Sequence, residues 1–242
     1  MGELGFTFTW HGHACVEIAN PDGRRIIFDP WLGNPRSTTT ADAIDACDLL
    51  LLSHGHSDHL GDAVALASRL RPAWPCIHEM SLWLARRLPG GADQLTGMNK
   101  GGTVDVAGTR VTMVRAEHSA GDWVADLGVP LYLGEPVGFV VELSNGRRIY
   151  HAGDTDVFGD MRLIRQLHRP AVAFLPIGGH FTMDPRAAAL AVELLGVTTV
   201  VPIHYGTFPI LAGTPDELRR ELAARGLAAV DVVSPEPGVP TS

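Results

Sequence analysis

Four side chains able to hold a metal ion fall within one short stretch, Ser53-His54-Gly55-His56-Ser57-Asp58-His59, directly after the apolar run Leu49-Leu50-Leu51-Leu52. In extended chain, residues i and i+2 project to the same side, so His54 and His56 can aim their imidazoles at one ion. Gly55 removes the side chain that would crowd them. As the chain turns toward a helix near Gly61, Asp58 and His59 can swing to a second position nearby, so one loop starts two metal sites. Surface histidines also cluster by chance, but three histidines and an aspartate at HxHxDH spacing after a buried strand fit chance poorly. Zinc takes about four ligands, so other parts of the chain must add donors. His118, Asp154 and His204 stand at the ends of apolar runs, where α/β proteins place their sites.

The elements that must position these residues are legible as short, turn-bounded apolar runs at 15–18, 26–28, 49–52, 111–114, 138–143, 171–175 and 200–203, expected as buried strands. Helices are expected between several of them. Asp184-Pro185 opens one with an N-cap and a first-turn proline, and Gly196 closes it. Thr214-Pro215-Asp216-Glu217 opens another as a capping box, ending at Gly226. Residues 62–70, 81–88 and 159–168 read as three more. The sequence Asp22-Gly23-Arg24-Arg25-Ile26 recurs as Asn145-Gly146-Arg147-Arg148-Ile149. Each copy is a hairpin signal, and an aspartate follows it, Asp29 or Asp154. Two related halves packed face to face are one reading; chance likeness of two glycine-containing hairpins is the other.

At 242 residues and 45% hydrophobic, the chain can bury a core of native size, and no linker or low-complexity tract divides it. One domain over residues 1–242 is expected. No basic start leads into a long apolar run, and eighteen consecutive apolar residues occur nowhere, so a cytoplasmic protein without membrane partners is expected. Cys15, Cys47 and Cys76 are odd in number and lack CxxC spacing, which points to buried thiols rather than a disulfide framework. A formal charge of -8 works against a broad grip on nucleic acid and favours a small-molecule substrate.

The order HxHxDH, then His118, Asp154 and His204, resembles the metallo-β-lactamase superfamily over essentially the whole chain. Within it, the sequence is most similar to hydrolases of the ascorbate-6-phosphate lactonase type. Trp10-His11-Gly12-His13, Phe28-Asp29-Pro30-Trp31 and Pro176-Ile177-Gly178-Gly179-His180 followed by Thr182-Met183-Asp184-Pro185 support this. N-acyl phosphatidylethanolamine phospholipase D has a similar layout at greater distance. The resemblance implies an α/β fold, a four-layer αββα sandwich with two divalent metals, Zn or Mn, along one edge. Carried over, His54, His56 and His118 hold the first metal, Asp58, His59 and His204 the second, and Asp154 bridges them. Such a centre implies a hydroxide held between the ions that attacks a small ester, lactone or phosphoester, with Asp58 orienting it.

Other residues carry two readings each. His13 lies near the metals or substrate, or is a core-edge histidine. His180 belongs to a rim loop and is expected to touch substrate and serve catalysis. Asp29 and Asp156 are expected to accept from ligand imidazoles, Asp184 to cap its helix, and His151 to support the site or simply fill a strand. The stretch 119–136 is expected as an irregular loop over the site, with Trp123 binding substrate. Competing functions are a phosphodiesterase or nuclease of the same fold, and a redox or non-catalytic di-metal protein. A homo-oligomer is compatible with the resemblance.

Overall fold

The computed structural model describes residues 4–124 and 128–242, with residues 122–124 described as backbone alone. The chain opens with a sheet of β1 (Thr7–Trp10), β2 (Val16–Ala19), β3 (Arg25–Phe28) and β4 (Leu49–Leu51), in that order. The first three run antiparallel, and β4 lies parallel to β3. Beside β4, β5 (Trp74–Ile77) and β6 (Leu95–Met98) pair in parallel, tied on by the Leu50 N–H, which donates to the Ala73 carbonyl. Then come β7 (Thr103–Val106), β8 (Thr109–Arg115), β9 (Gly121–Val124), β10 (Val129–Tyr132), β11 (Val137–Glu142), β12 (Arg148–His151), β13 (Val172–Pro176), β14 (Thr199–Ile203) and β15 (Asp231–Val232). Apart from β9 and β10, which pair only with each other, these form one sheet in the order β15-β14-β13-β12-β11-β8-β7.

All seven apolar runs are strands. β4, β13 and β14 are buried at every residue, which is why they read as continuous apolar runs rather than alternating ones: both faces are covered. The inner faces of the two sheets meet directly. Phe8 of β1 packs edge-on against Phe174 of β13 with ring centroids 5.3 Å apart, and Phe28 of β3 stacks on His151 of β12 at 4.5 Å. Helices α1 (Ser57–Leu60), α2 (Ala63–Leu70) and α3 (His78–Leu84) follow the first sheet's strands, and α4 (Met161–His168), α5 (Pro185–Leu195) and α6 (Pro215–Ala224) those of the second. The layers are αββα, as expected. Asp184 caps α5 by accepting from the Ala187 N–H, and Thr214 with Glu217 closes the capping box of α6.

The repeat is a structural one. Gly23 and Gly146 take the left-handed conformations their hairpins require, at φ 92° and 79°. Each hairpin is followed by a parallel strand, β4 beside β3 and β13 beside β12. The two turns also touch, since the Ser144 N–H and hydroxyl both donate to Asn20 Oδ1 at 3.0 Å.

One expectation is corrected. Within 119–136 the described residues are not all irregular: they hold the antiparallel pair β9–β10, in register from Val129 opposite Val124 to Tyr132 opposite Gly121. The side chain of Trp123 lies outside the described residues. No helix among the described residues is long and apolar enough to cross a membrane.

Candidate metal centre

Six loops bring the donors to one edge of the sandwich. His13 lies between β1 and β2, Asp29 directly after β3, and His54 to His59 between β4 and the end of α1. His118 follows β8, Asp154 follows β12 and His204 directly follows β14. Close packing fixes the loops. A Cβ on Gly55 would come within 2.7 Å of Leu133, so the stretch after β10 seals the loop that carries the histidines. A Cβ on Gly178 would meet the His204 carbonyl at 2.2 Å. Four of the seven described non-glycine residues in left-handed backbone, His13, Asp29, His180 and His204, belong to these and adjoining loops. Such strain persists only where surrounding structure holds it. Here the His204 N–H donates to the His13 carbonyl at 2.8 Å, and the Trp10 indole N–H donates to the same oxygen at 2.9 Å.

The donors fall into overlapping groups whose ligating atoms all lie within 4.8 Å of one another: His54, His56 and His118; His13, Asp58, His59 and His204; and His54, His59 and Asp154. Asp154 sits at the centre. Its Oδ2 is 3.1 Å from His204 Nε2, 3.3 Å from His59 Nε2 and 3.6 Å from His118 Nε2. Its Oδ1 is buried with no hydrogen-bond partner.

Behind these side chains, Asp29 sets the orientation of two imidazoles. It is fully buried and accepts from the Ser53 N–H (2.7 Å), the Ser53 hydroxyl (2.7 Å) and His59 Nδ1 (2.8 Å). Since the Ser53 proton goes to Asp29, the same oxygen accepts from His54 Nδ1–H at 2.9 Å. Both imidazoles therefore carry their outer proton on Nδ1 and turn Nε2 inward, the arrangement in which a ligand histidine is held by its neighbours. A second chain fixes Asp58. His13 is buried, and burial lowers its pKa to about 4 against the opposing hydrogen bond from Asp58, so it is neutral at pH 7. A neutral imidazole has one N–H, and Asp58 can only accept. His13 Nε2–H therefore donates to Asp58 Oδ2, and Nδ1 accepts from the Thr207 hydroxyl, both at 3.0 Å.

The charges are strongly biased. Burial pushes the Asp154 carboxyl upward, yet the facing His204 and His59 overcome this and hold it well below the usual carboxylate range. Burial opposes a charge on His59 as well, but Asp154 and Asp29 on either side raise its pKa far above that of an ordinary imidazole. Burial keeps His54 neutral, reinforced by His59. A buried pocket of carboxylates and imidazoles thus favours one positive charge at its centre. The residues fit divalent cations on two counts: imidazole with carboxylate is the donor set of Zn, Mn and Fe, and buried Nε2 atoms of His59, His118 and His204 lack any hydrogen-bond partner.

Residues 24–205 match the family model of the β-lactamase superfamily domain. The UPF0173 metal-dependent hydrolase of Koribacter versatilis (strain Ellin345) is 46% identical over 221 residues, covering 91% of this chain and 93% of that protein. The chain belongs to the UPF0173 metal-dependent hydrolases. Among solved structures, the metallo hydrolase Igni18 from Ignicoccus hospitalis superposes with a TM-score of 0.84 at 36% identity, covering 98% of each chain. An isothiocyanate hydrolase from Delia radicum gut bacteria shares the fold, with a TM-score of 0.73 at 20% identity and 98% of each chain covered.

In this UPF0173 chain, the structure brings together His54, His56, Asp58, His59, His118, Asp154 and His204, all seven donors named from the sequence. It adds His13 to the group around Asp58, where the sequence left a core-edge histidine open. It leaves His180 outside: that side chain is exposed, packs edge-on against Phe181 and lines a separate cavity of about 580 Å³ with Asp184 and Arg186. Asp156 is also corrected, being exposed and accepting from the neighbouring Val157 N–H. His151 is a core residue, stacked between Phe28 and Phe174, donating to the Ala14 carbonyl and accepting from the Gly153 N–H. Thr207 had no signal in the sequence. It meets His13 only because β14 returns the chain beside β1's loop.

Proposed function

We propose that the chain hydrolyses a small ester, lactone or phosphoester using two divalent ions, zinc or manganese. His54, His56 and His118 would hold one ion, and Asp58, His59 and His204 the other, with Asp154 serving both. The observation that carries this reading is the surround of Asp154: imidazoles from both groups face one of its oxygens, and the other oxygen is buried without a partner. A carboxylate between two cations offsets their repulsion, which explains why a buried acid is left without ordinary hydrogen bonds.

A pair of divalent ions supplies Lewis acidity, polarising a substrate oxygen and making water acidic enough to react near neutral pH. The chain supplies the rest. Asp29 and Ser53 keep protons on Nδ1 of His59 and His54, which leaves Nε2 of each free to ligate. His13 and Thr207 hold Asp58 as a carboxylate through Oδ2, which leaves Oδ1 for the ion that Asp58 would hold. The buried His54, His59 and His204 face inward, and the centre meets solvent at Asp58, whose side chain is 32% exposed, and at the half-buried His56 and His118.

Metal analysis of the purified protein, combined with a panel of esters, lactones and phosphodiesters, tests the proposal. Two equivalents per chain and turnover of one substrate class are expected. A single equivalent at saturating metal would sink the two-ion reading, and degradation of bulk RNA would favour the nuclease alternative.

A further inference from the structure

Against His13, which donates to Asp58, stands an aromatic wall. Trp31 meets the His13 ring edge-on at 5.0 Å, and Phe208 lies 6.0 Å from Trp31, tilted by 31°, and 6.2 Å from His13. Both aromatics are held by backbone. The Trp31 N–H donates to the Asp29 carbonyl at 2.8 Å, and Gly61, at the end of the helix that carries Asp58 and His59, is pressed against it so closely that a Cβ there would come within 2.7 Å of Trp31. Phe208 sits in a loop closed by Gly206 N–H to the Leu211 carbonyl and by Leu211 N–H to the Phe208 carbonyl, each at 2.9 Å. Despite this fixed setting, Phe208 is 40% exposed. Fixed exposed apolar groups beside a polar centre are the usual make-up of a binding site.

The charge around the centre narrows what such a wall would bind. Every ion pair that Asp29, Asp58 and Asp154 make among the described residues is with a histidine. Arg36, which lies against Gly206 just after His204, is engaged elsewhere: its guanidinium packs over the Trp10 and Tyr205 rings and donates to the Tyr205 carbonyl. Recognition of a phosphorylated group ordinarily uses the planar fork of Arg or the point charge of Lys. We infer that the site takes uncharged carboxylic esters or lactones whose acyl part is an extended alkyl or aryl group, seated against Trp31 and Phe208. The inference rests on the hydrolase reading above and selects the ester and lactone class within it.

The test uses the zinc-loaded full chain and p-nitrophenyl acetate, butyrate and hexanoate. The leaving group is constant, so only the acyl length changes. From acetate to hexanoate, kcat/KM is expected to rise about tenfold or more, as partial burial of four methylenes implies. Phe208→Ser should cut the hexanoate-to-acetate ratio several-fold, and Phe208→Leu, which stays apolar, should keep most of it. A flat series in the natural protein, or equal loss on both esters in Phe208→Ser, overturns the inference. If no ester turns over, calorimetric titration with hexanoate and acetate decides the same point without catalysis. Tighter hexanoate binding that Phe208→Ser abolishes supports the wall while the ester reading falls, whereas equal binding overturns the wall. Chromatography with light scattering on both variants guards against another role. If Phe208→Ser breaks an oligomer and leaves the acyl preference intact, the wall is a contact between copies and the inference fails.

Discussion

In the first half of the molecule the β2–β3 hairpin runs into β4, and Asp29 follows β3; in the second half the β11–β12 hairpin runs into β13, and Asp154 follows β12. The hydrogen bonds show that these two aspartates are not at equivalent positions. The Asp29 N–H donates to the Leu51 carbonyl, continuing the pairing of β3 with β4, and the residue that does the same beyond β12 is Ala152, which donates to the Phe174 carbonyl. Ala152 and Gly153 therefore carry Asp154 two residues farther over the sheet edge. The consequence is a division of labour. Asp29 stays beneath the centre, where three protein donors saturate it, and Asp154 reaches the middle of it, where only imidazoles and a cation can. One recurring motif supplies an orienting carboxylate and, in the proposed centre, a ligating one, and the difference is two residues of chain.

Substituting each aspartate tests that division directly. Asp154→Asn should cost the chain at least one equivalent of metal and lower kcat by more than the roughly 100-fold that marks residues acting only through a ligand. Metal analysis and turnover measured on the same preparation check both. Asp29→Asn keeps the shape but removes the charge that holds the His59 proton. It should weaken metal binding by about 10- to 100-fold in chelator competition while leaving the stoichiometry at saturating metal unchanged. Equal effects of the two substitutions would erase the distinction between them.

The two-residue extension has its own weak point. Gly153 is left-handed at φ 61°, and a Cβ there would come within 2.4 Å of the Ser53 Cβ. Ser53 is the residue that links Asp29 to His54, so the two halves interlock at this glycine. Gly153→Ala should destabilise the fold by about 1–3 kcal/mol, the usual cost of such a conformation in a residue with a side chain. The shift of the urea midpoint measures this, and a midpoint unchanged from the natural protein would mean that the close approach is not needed.

The candidate ligands are legible in the sequence because each stands just after an apolar run, and strands buried on both faces announce themselves as such runs. The N-cap at Asp184 and the capping box at Thr214 were legible for a similar reason, since the bonds that define them are local. What stayed hidden depends on partners distant in the chain. His13 meets Thr207 across 194 residues and Asp58 across 45, and no spacing rule links them. Strand β7 alternates between exposed and half-buried residues, and β9–β10 contains Gly128 and Pro130, so neither gives the continuous apolar signal. His180 follows two glycines in a site-like context, yet its side chain is exposed against Phe181. The repeated hairpin matches Asp29 to Asp154, and the pairing of the neighbouring strands shows the offset.

A separate effect concerns the cysteines, of which Cys15 lies two residues from His13. Cys15, Cys47 and Cys76 are buried free thiols. Burial pushes Cys47 and Cys76 up to about 12 from the usual value of 9.0, and Cys15 rises well above it, with Asp29 adding to the effect of burial. A folded chain that keeps these protons while the unfolded chain releases them loses stability as pH rises. The loss begins near the unfolded thiol value of 9.0 and continues through about 12. Each thiol contributes at most about 1.4 kcal/mol per pH unit across that window, and the urea midpoint should fall accordingly, with Cys47→Ala making the fall shallower. At pH 8 the thiolates are not populated in the folded state, so a thiol reagent such as DTNB should label none of the three until denaturant is added. Rapid labelling of Cys15 in the native protein would mean that the loop after β1, which carries His13, opens on its own. In that case the Thr207–His13–Asp58 chain would be a transient arrangement and not the fixed support for Asp58 described above.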